Sequence, residues 1–229
     1  MKLSNELVDK TFYLSLVVQI ITSLVSLDGL QYKLHPKDMI LHDILKLELF
    51  VQLVETIFYV WIISSRHNLN TIVSRRYIDW VITTPTMLIS TIAYMDYQGN
   101  IEKNNGVIID NIYTFINQNK ENIEKIVLYN GLMLMFGYLG ETNQMDKYTS
   151  VSIGFIFFYL SFNIIYQKYA IQSESGKEIF KVLLTLWSLY GVSAILNPLQ
   201  KNICYNILDV FSKNFYGLFI YYKIRKLQN

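Results

Sequence analysis

Residues Asn206–Tyr222 read NILDVFSKNFYGLFIYY, and the lysine inside this run, Lys213, decides how the rest of the chain is read. The span containing it extends over roughly residues 202–223. An ammonium in the middle of an apolar helix is costly unless it is paired or chemically changed, which makes it a functional suspect. Asp209 stands one helical turn earlier, at i,i+4, so the two side chains share a face. The amine suits two chemistries: it can stay charged among carboxylates, or it can condense with an aldehyde to a Schiff base. Both need counterions, and Asp209 supplies one of the two carboxylates expected.

Working outward, the 229 residues are 52% hydrophobic and 17% charged, and the apolar residues are bunched into long runs. Charge this sparse, in a chain this length, indicates a polytopic membrane protein of six or seven spans with almost no separate soluble domain. The single cysteine, Cys204, excludes an internal disulfide. No cleavable leader is expected, because no small-residue cleavage pattern follows the first apolar run. A net charge of +2 gives no reason to invoke nucleic acid. Eighteen tyrosines fit rings at helix ends and in polar interior positions.

The spans predicted from hydropathy and turn signals cover about 12–27, 40–64, 76–94, 123–139, 148–170, 178–196 and 202–223. The first reads as clean and apolar. The second holds Glu48, Gln52 and Glu55 at i, i+4 and i+7, a polar stripe that must face the bundle interior or water. A short basic loop is expected over 66–75, and Pro85 is expected to free a carbonyl in the third span. The longest connection, about 96–121, contains an apolar pattern over about 106–117 that predicts a short amphipathic helix at the membrane surface. With the N-terminus outside, twelve lysines and arginines fall on the cytoplasmic side and seven outside, which favours an extracellular N-terminus, a cytoplasmic C-terminus and an odd number of spans.

The second carboxylate comes from the third span. Asp79 lies three residues after Arg76 and is followed by Trp80, Thr83 and Thr84; Thr83, one turn on, can hydrogen-bond the carboxylate or pass a proton to a neighbour. Arg76 is expected near the outer end of this helix, where it offsets part of the charge of both aspartates. Lys213 and Arg76 against Asp79 and Asp209 sum to about zero, the condition for burying them in a membrane. The bland alternative is an ion-pair cluster that only fixes helix packing. Trp80 and Trp187 taken singly are ordinary packing residues, but two tryptophans beside a lysine-centred cavity also suit the faces of a long apolar chromophore.

Here the chain resembles the microbial-type retinal-binding rhodopsins. The strings that carry the likeness are Arg76, Tyr77, Asp79, Trp80, Thr83, Thr84, Pro85; then Trp187, Ser188, Leu189, Tyr190; then Leu208, Asp209, Val210, Ser212, Lys213. The resemblance implies a single domain over 1–229, an all-α, bacteriorhodopsin-like bundle of seven transmembrane helices, with all-trans retinal as cofactor. By the same resemblance Lys213 carries retinal as a protonated Schiff base, Asp79 is the primary counterion and proton acceptor, Asp209 is the second counterion, and Arg76 gates the outward side. Trp80, Thr84, Met133, Gly137, Trp187 and Tyr190 would line the pocket, with Thr83 beside Asp79 and Asn130 near the pocket. The implied activity is not enzymatic and involves no catalytic residue or metal site.

Departures from the family pattern narrow the expectation. Where outward proton pumps carry a carboxylic acid eleven residues after the counterion, this chain has Ser90, which has no usable acidity. Outer proton-release carboxylates are missing from 197–206. Gly191 replaces a proline and Ala194 a tryptophan, which is expected to loosen that wall. The asparagine-rich sequence, the Asp79, Thr83, Ser90 triad and the Glu48, Gln52, Glu55 stripe most resemble rhodopsins encoded by giant viruses. They imply a light-gated channel for monovalent cations and protons, with calcium as a candidate modulator, in the host-cell membrane of an infected protist. The alternatives are an outward proton pump using Glu48 or water as donor, and a photosensor docking through the 96–121 segment or the basic tail. Oligomeric state stays open between dimer, trimer and pentamer.

Overall fold

A computed structural model describes residues 5–64, 69–103 and 111–228. Every regular element among them is helical. They are α1 (Asn5–Asp28), α2 (Ile40–Ser64), α3 (Leu69–Glu102), α4 (Ile112–Gln118), α5 (Lys120–Glu141), α6 (Lys147–Lys168), α7 (Glu174–Ser193), α8 (Pro198–Asp209) and α9 (Phe215–Lys226). A π turn, Val210–Asn214, joins α8 to α9 without a break, so the described residues form seven long helical runs plus the short α4. Three stretches, Glu6–Gln31, Pro36–Ser64 and Lys147–Gln172, are long and apolar enough to cross a membrane by length and composition. The described residues are all-α.

The bundle turns large apolar side chains outward and buries apolar clusters, among them Ile40, Ile44, Leu88, Ile92 and Ile220, together with an unusual number of polar and charged groups. On α1, Leu14, Leu24 and Val17 are exposed, whereas Thr11, Ser15, Gln19, Thr22 and Ser26 are buried. Those five recur every three or four residues and form one face. The expectation of a uniformly apolar first span is therefore corrected: its inward face is a ladder of hydroxyls and an amide, masked in the sequence by the lipid-facing leucines and valines around it.

The two ends of the bundle differ. At the first end lie the α1–α2 turn, α4 and the C-terminal residues: Asp43 Oδ2 accepts the amide of Ile112 at 3.1 Å, and Gln228 Nε2 donates to the carbonyl of Lys33 at 2.7 Å. At the second end the α5–α6 turn meets the α7–α8 turn, where Lys147 Nζ donates to the carbonyls of Ile195 and Leu196, and Lys201 pairs with Glu141 at 2.5 Å. Asp146 caps α6 by accepting the Thr149 amide at 2.9 Å, and Ser173 caps α7 through the Gly176 amide at 2.9 Å.

Two expected boundaries move. α3 starts by Leu69 and runs to Glu102, so 69–75 is helix and Arg76 sits two turns inside it; within the predicted basic loop, residues 66–68 fall outside the described residues. Pro85 is carried within α3. Of the surface helix expected over 106–117, residues 106–110 fall outside the described residues, and Ile112–Gln118 is helical, with Phe115 buried against Tyr169.

Candidate functional site: a buried lysine among three carboxylates

Lys213, 2% exposed, lies in the π turn, where the amide of Phe215 reaches back to the carbonyl of Val210. A local widening of this kind reorients one side chain without ending the helix and is frequent at functional sites. Its Nζ donates to Asp79 Oδ2 at 2.6 Å and lies 3.7 Å from Asp209 Oδ1 and 3.5 Å from Glu55 Oε1. Asp79, from α3, and Asp209, one helical turn before Lys213, are thus brought together at the amine. Glu55, expected only on the α2 stripe, is a third carboxylate in the cluster.

Arg76 makes its direct ion pair with Asp209. Its Nη1 donates to Asp209 Oδ2 at 3.0 Å and its Nη2 donates to Asn206 Oδ1. The guanidinium is 1% exposed, and its carbon lies 5.3 Å from the centre of the Phe12 ring. Asp209 also accepts from Tyr59 at 2.7 Å and from Tyr190 at 2.6 Å, so both of its oxygens are held. Two cations face three carboxylates, so the neutral sum expected from four groups fails by one negative charge unless one carboxyl holds a proton. Thr83 is also placed differently from expectation: its hydroxyl donates to the backbone carbonyl of Asp79 at 3.0 Å, because a threonine in a helix reaches the i−4 carbonyl before it reaches that residue's side chain.

Beside the amine lies a cavity of about 780 Å³ of atom-free space, its mouth included. Trp80, Thr84, Met133, Gly137, Trp187, Tyr190 and Lys213 all line it. Asn130 Nδ2 donates to Thr84 Oγ1 at 2.8 Å just behind this wall. The wall at Gly191 is not loose. A Cβ there would fall 2.5 Å from the Phe155 ring, which has moved into the room left by the missing side chain. A cavity of mostly apolar and aromatic walls, with one primary amine at its polar end, fits a long apolar aldehyde.

Glu48, Gln52 and Glu55 are each 0% exposed and face inward. Ser90 Oγ donates to Glu48 Oε1, so the position without an acid on α3 is supplied with one from α2. The Gln52 oxygen accepts from Ser23 at 2.9 Å, and Thr22 donates to Asn214 at 2.9 Å. Asn206 Nδ2 donates to Thr11 at 2.8 Å, and Ser15 donates to the Asn206 carbonyl at 2.7 Å. Together these form a polar seam between α1, α2 and the α8–α9 run. Gly217 leaves room for the Gln52 amide, which a Cβ at that position would displace. Sequence reasoning missed Tyr59 and Asn206, although both continue stripes it had found: Tyr59 is i+4 from Glu55, and Asn206 is i−3 from Asp209.

Fold and site together define a membrane-type helical bundle holding a buried ammonium, its carboxylate partners and an elongated apolar cavity. The chain belongs to the family described as bacteriorhodopsin-like protein, which matches residues 8–227. It is a type-1 rhodopsin, with retinal as chromophore, related to the viral rhodopsins. Viral rhodopsin OLPVRII is similar at 26% identity, with a TM-score of 0.80, over 96% of this chain and 99% of that one. Xanthorhodopsin, described as a light-driven ion pump with dual chromophore, matches at 18% identity and TM-score 0.73 over 96% and 93% of the two chains. The proton pump of Coccomyxa subellipsoidea, CsR, matches at 15% identity and TM-score 0.71 over 96% and 97%. No curated protein sequence matches the chain.

Proposed function

We propose that this rhodopsin is a light-gated cation channel crossing the membrane seven times, with the first end of the bundle cytoplasmic. The twelve-to-seven distribution of lysines and arginines supports that orientation. Retinal, held covalently through Lys213 Nζ and packed among Trp80, Thr84, Met133, Gly137, Trp187 and Tyr190, supplies light absorption and isomerisation. Asp79, at 2.6 Å, is within reach of a proton leaving the Lys213 nitrogen. Asp209, held by Arg76, Tyr59 and Tyr190, fixes the outward half of the cluster.

The observation that carries the channel reading is the seam. Gln19 Nε2, Ser26 Oγ, Gln52 Nε2, Glu48 Oε2 and both Glu55 oxygens are buried without a hydrogen-bond partner. Buried polar atoms of this kind are ordinarily satisfied by water. A row of them, edged by carboxylates, needs little rearrangement to become a wet path favouring cations, protons and monovalent ions above all. Voltage-clamp current under illumination tests it: the current should reverse sign with the cation gradient, and calcium on either side tests the modulator. A host-cell membrane of an infected protist is the proposed location, supported by the likeness to the viral protein.

A second reading, an outward proton pump, is favoured by the Ser90–Glu48 contact, which puts a carboxyl where a cytoplasmic proton donor is needed. The relatives reported above with a stated activity are pumps, and kinship favours this reading. Current of one sign at zero voltage and without gradients would establish it over the channel.

A further inference from the structure

Between Glu48 and the first end of the bundle, a file of tyrosines occupies what would otherwise be an apolar plug. Tyr94 is 0% exposed and its hydroxyl has no hydrogen-bond partner. The Tyr216 hydroxyl sits beside Glu48, Ser90, Thr91 and Tyr94, next to the hydroxyls of Ser90 and Thr91. Phe219 packs on both rings, at 5.2 Å from Tyr94 and 6.2 Å from Tyr216, and holds them in place. One turn further along α3, the Tyr97 ring lies 6.3 Å from that of Tyr94. The Tyr97 hydroxyl donates at 2.6 Å to Asp38 Oδ1. Asp38 is 3% exposed, an aspartate buried in the turn Pro36–Asp38 that leads into α2.

A phenol hydroxyl buried without a partner costs stability, and phenylalanine would fill the same space without that cost. The unpartnered hydroxyl of Tyr94, set between Tyr216 beside Glu48 and Tyr97 bonded to Asp38, makes a file of phenols from one carboxylate to another that transport explains better than packing. We propose that Tyr216, Tyr94 and Tyr97 line the inner continuation of the ion route from Glu48, and that the Tyr97–Asp38 hydrogen bond is the gate at its end. Closed, the bond seals the file under the α1–α2 turn. Open, it frees a carboxylate that attracts protons and small cations to the mouth. This rests on the proposed ion-conducting function and adds to it the exit and the residues that close it.

The experiment compares Tyr97→Phe, Asp38→Asn and Tyr94→Phe with the unsubstituted protein, each loaded with retinal and first checked for its visible absorption band. Tyr97→Phe removes the closing bond and should slow the decay of photocurrent after light-off by about fivefold, the factor that one hydrogen bond's net contribution gives. Asp38→Asn keeps an acceptor for Tyr97 but removes the charge, and should reduce cation current with closing kinetics preserved. Tyr94→Phe breaks no hydrogen bond, so its folding is spared, and it should reduce current as well. Pigments of normal absorption whose current and closing rate stay within about twofold of the parent, less than one hydrogen bond is worth, would overturn the gate. If the parent itself passes no current, the functional reading fails separately. The file is then judged by recovery of the pigment after a flash, and an unchanged rate in Tyr97→Phe and Tyr94→Phe overturns it.

Discussion

Glu55 Oε1 stands 3.5 Å from Lys213 Nζ, which is held at 2.6 Å by Asp79. The amine is therefore flanked by carboxylates from α2 and α3 as well as by Asp209 of its own helix. Charge close to a chromophore's positive end sets its colour, and Coulomb attraction falls with distance. Both Glu55→Gln and Asp79→Asn should move the visible band of the retinal-loaded protein to longer wavelength, Asp79→Asn further. Spectra of the purified pigments check this, and an Asp79→Asn band at or below the parental wavelength would contradict it. Lys213→Ala should leave no covalent pigment at all.

The Arg76–Asp209 pair is buried on both sides, at 1% and 0% exposure. Removing the guanidinium strands the carboxylate with only its tyrosine donors. Arg76→Ala should cost about 3–5 kcal/mol, the usual result of breaking a buried pair. Thermal unfolding in detergent measures it; a transition temperature equal to the parent's would sink the assignment.

Ser90 donates to Glu48, whose other oxygen is unpartnered. Ser90→Ala leaves a buried carboxyl with no donor and should destabilise by about 1–3 kcal/mol. Glu48→Gln keeps an acceptor for Ser90, so it should preserve stability while lowering photocurrent. Equal photocurrents from Glu48→Gln and the parent would remove Glu48 from the route.

Phe155 fills the space at Gly191, so a methyl group there collides with the ring. Gly191→Ala should push Phe155 toward the cavity and slow uptake of retinal by the apoprotein. The double variant Gly191→Ala, Phe155→Ala should restore the rate. Uptake followed at the visible band decides it, and failure of the second substitution to rescue would mean that the ring is not the obstacle.

In the turn before α6, Asp146 accepts from the amide and hydroxyl of Thr149, and these bonds lower its pKa below the ordinary aspartate value. A depressed carboxyl contributes stability that is present above the unfolded value and lost as pH falls through the folded one. Asp146→Ala should therefore unfold at lower temperature than the parent at neutral pH, with the gap closing on acidification below the usual aspartate range. A gap that persists unchanged in strong acid would mean that the cap acts through something other than its charge.

Legibility in the sequence followed the kind of signal. Lys213, Asp79 and Asp209 stood out because a charge inside an apolar run is conspicuous, and the α2 stripe because carboxylates at i, i+4 and i+7 share a face whatever the tertiary arrangement. The polar face of α1 stayed hidden because serine and threonine satisfy their hydroxyls on their own helix and do not interrupt a hydrophobic run. Thr11, for example, donates to the Val8 carbonyl at 2.8 Å. The start of α3 falls earlier than expected because its first turns are polar, and the residues up to Arg75 look like a loop until the helix runs through them.

By itself, the chain's order of residues determined an all-helical membrane bundle and which side chains could not be idle, since burying a charge in lipid is too costly to be accidental. Only the tertiary structure decided who partners whom. It gave Arg76 to Asp209 and Asn206, brought Glu55 to the lysine, set Glu48 against Ser90, and closed Tyr97 onto Asp38. Helical periodicity fixes a face but neither the rotation of that face toward one neighbour nor its height along the bundle, and both are set by the packing of all the helices at once.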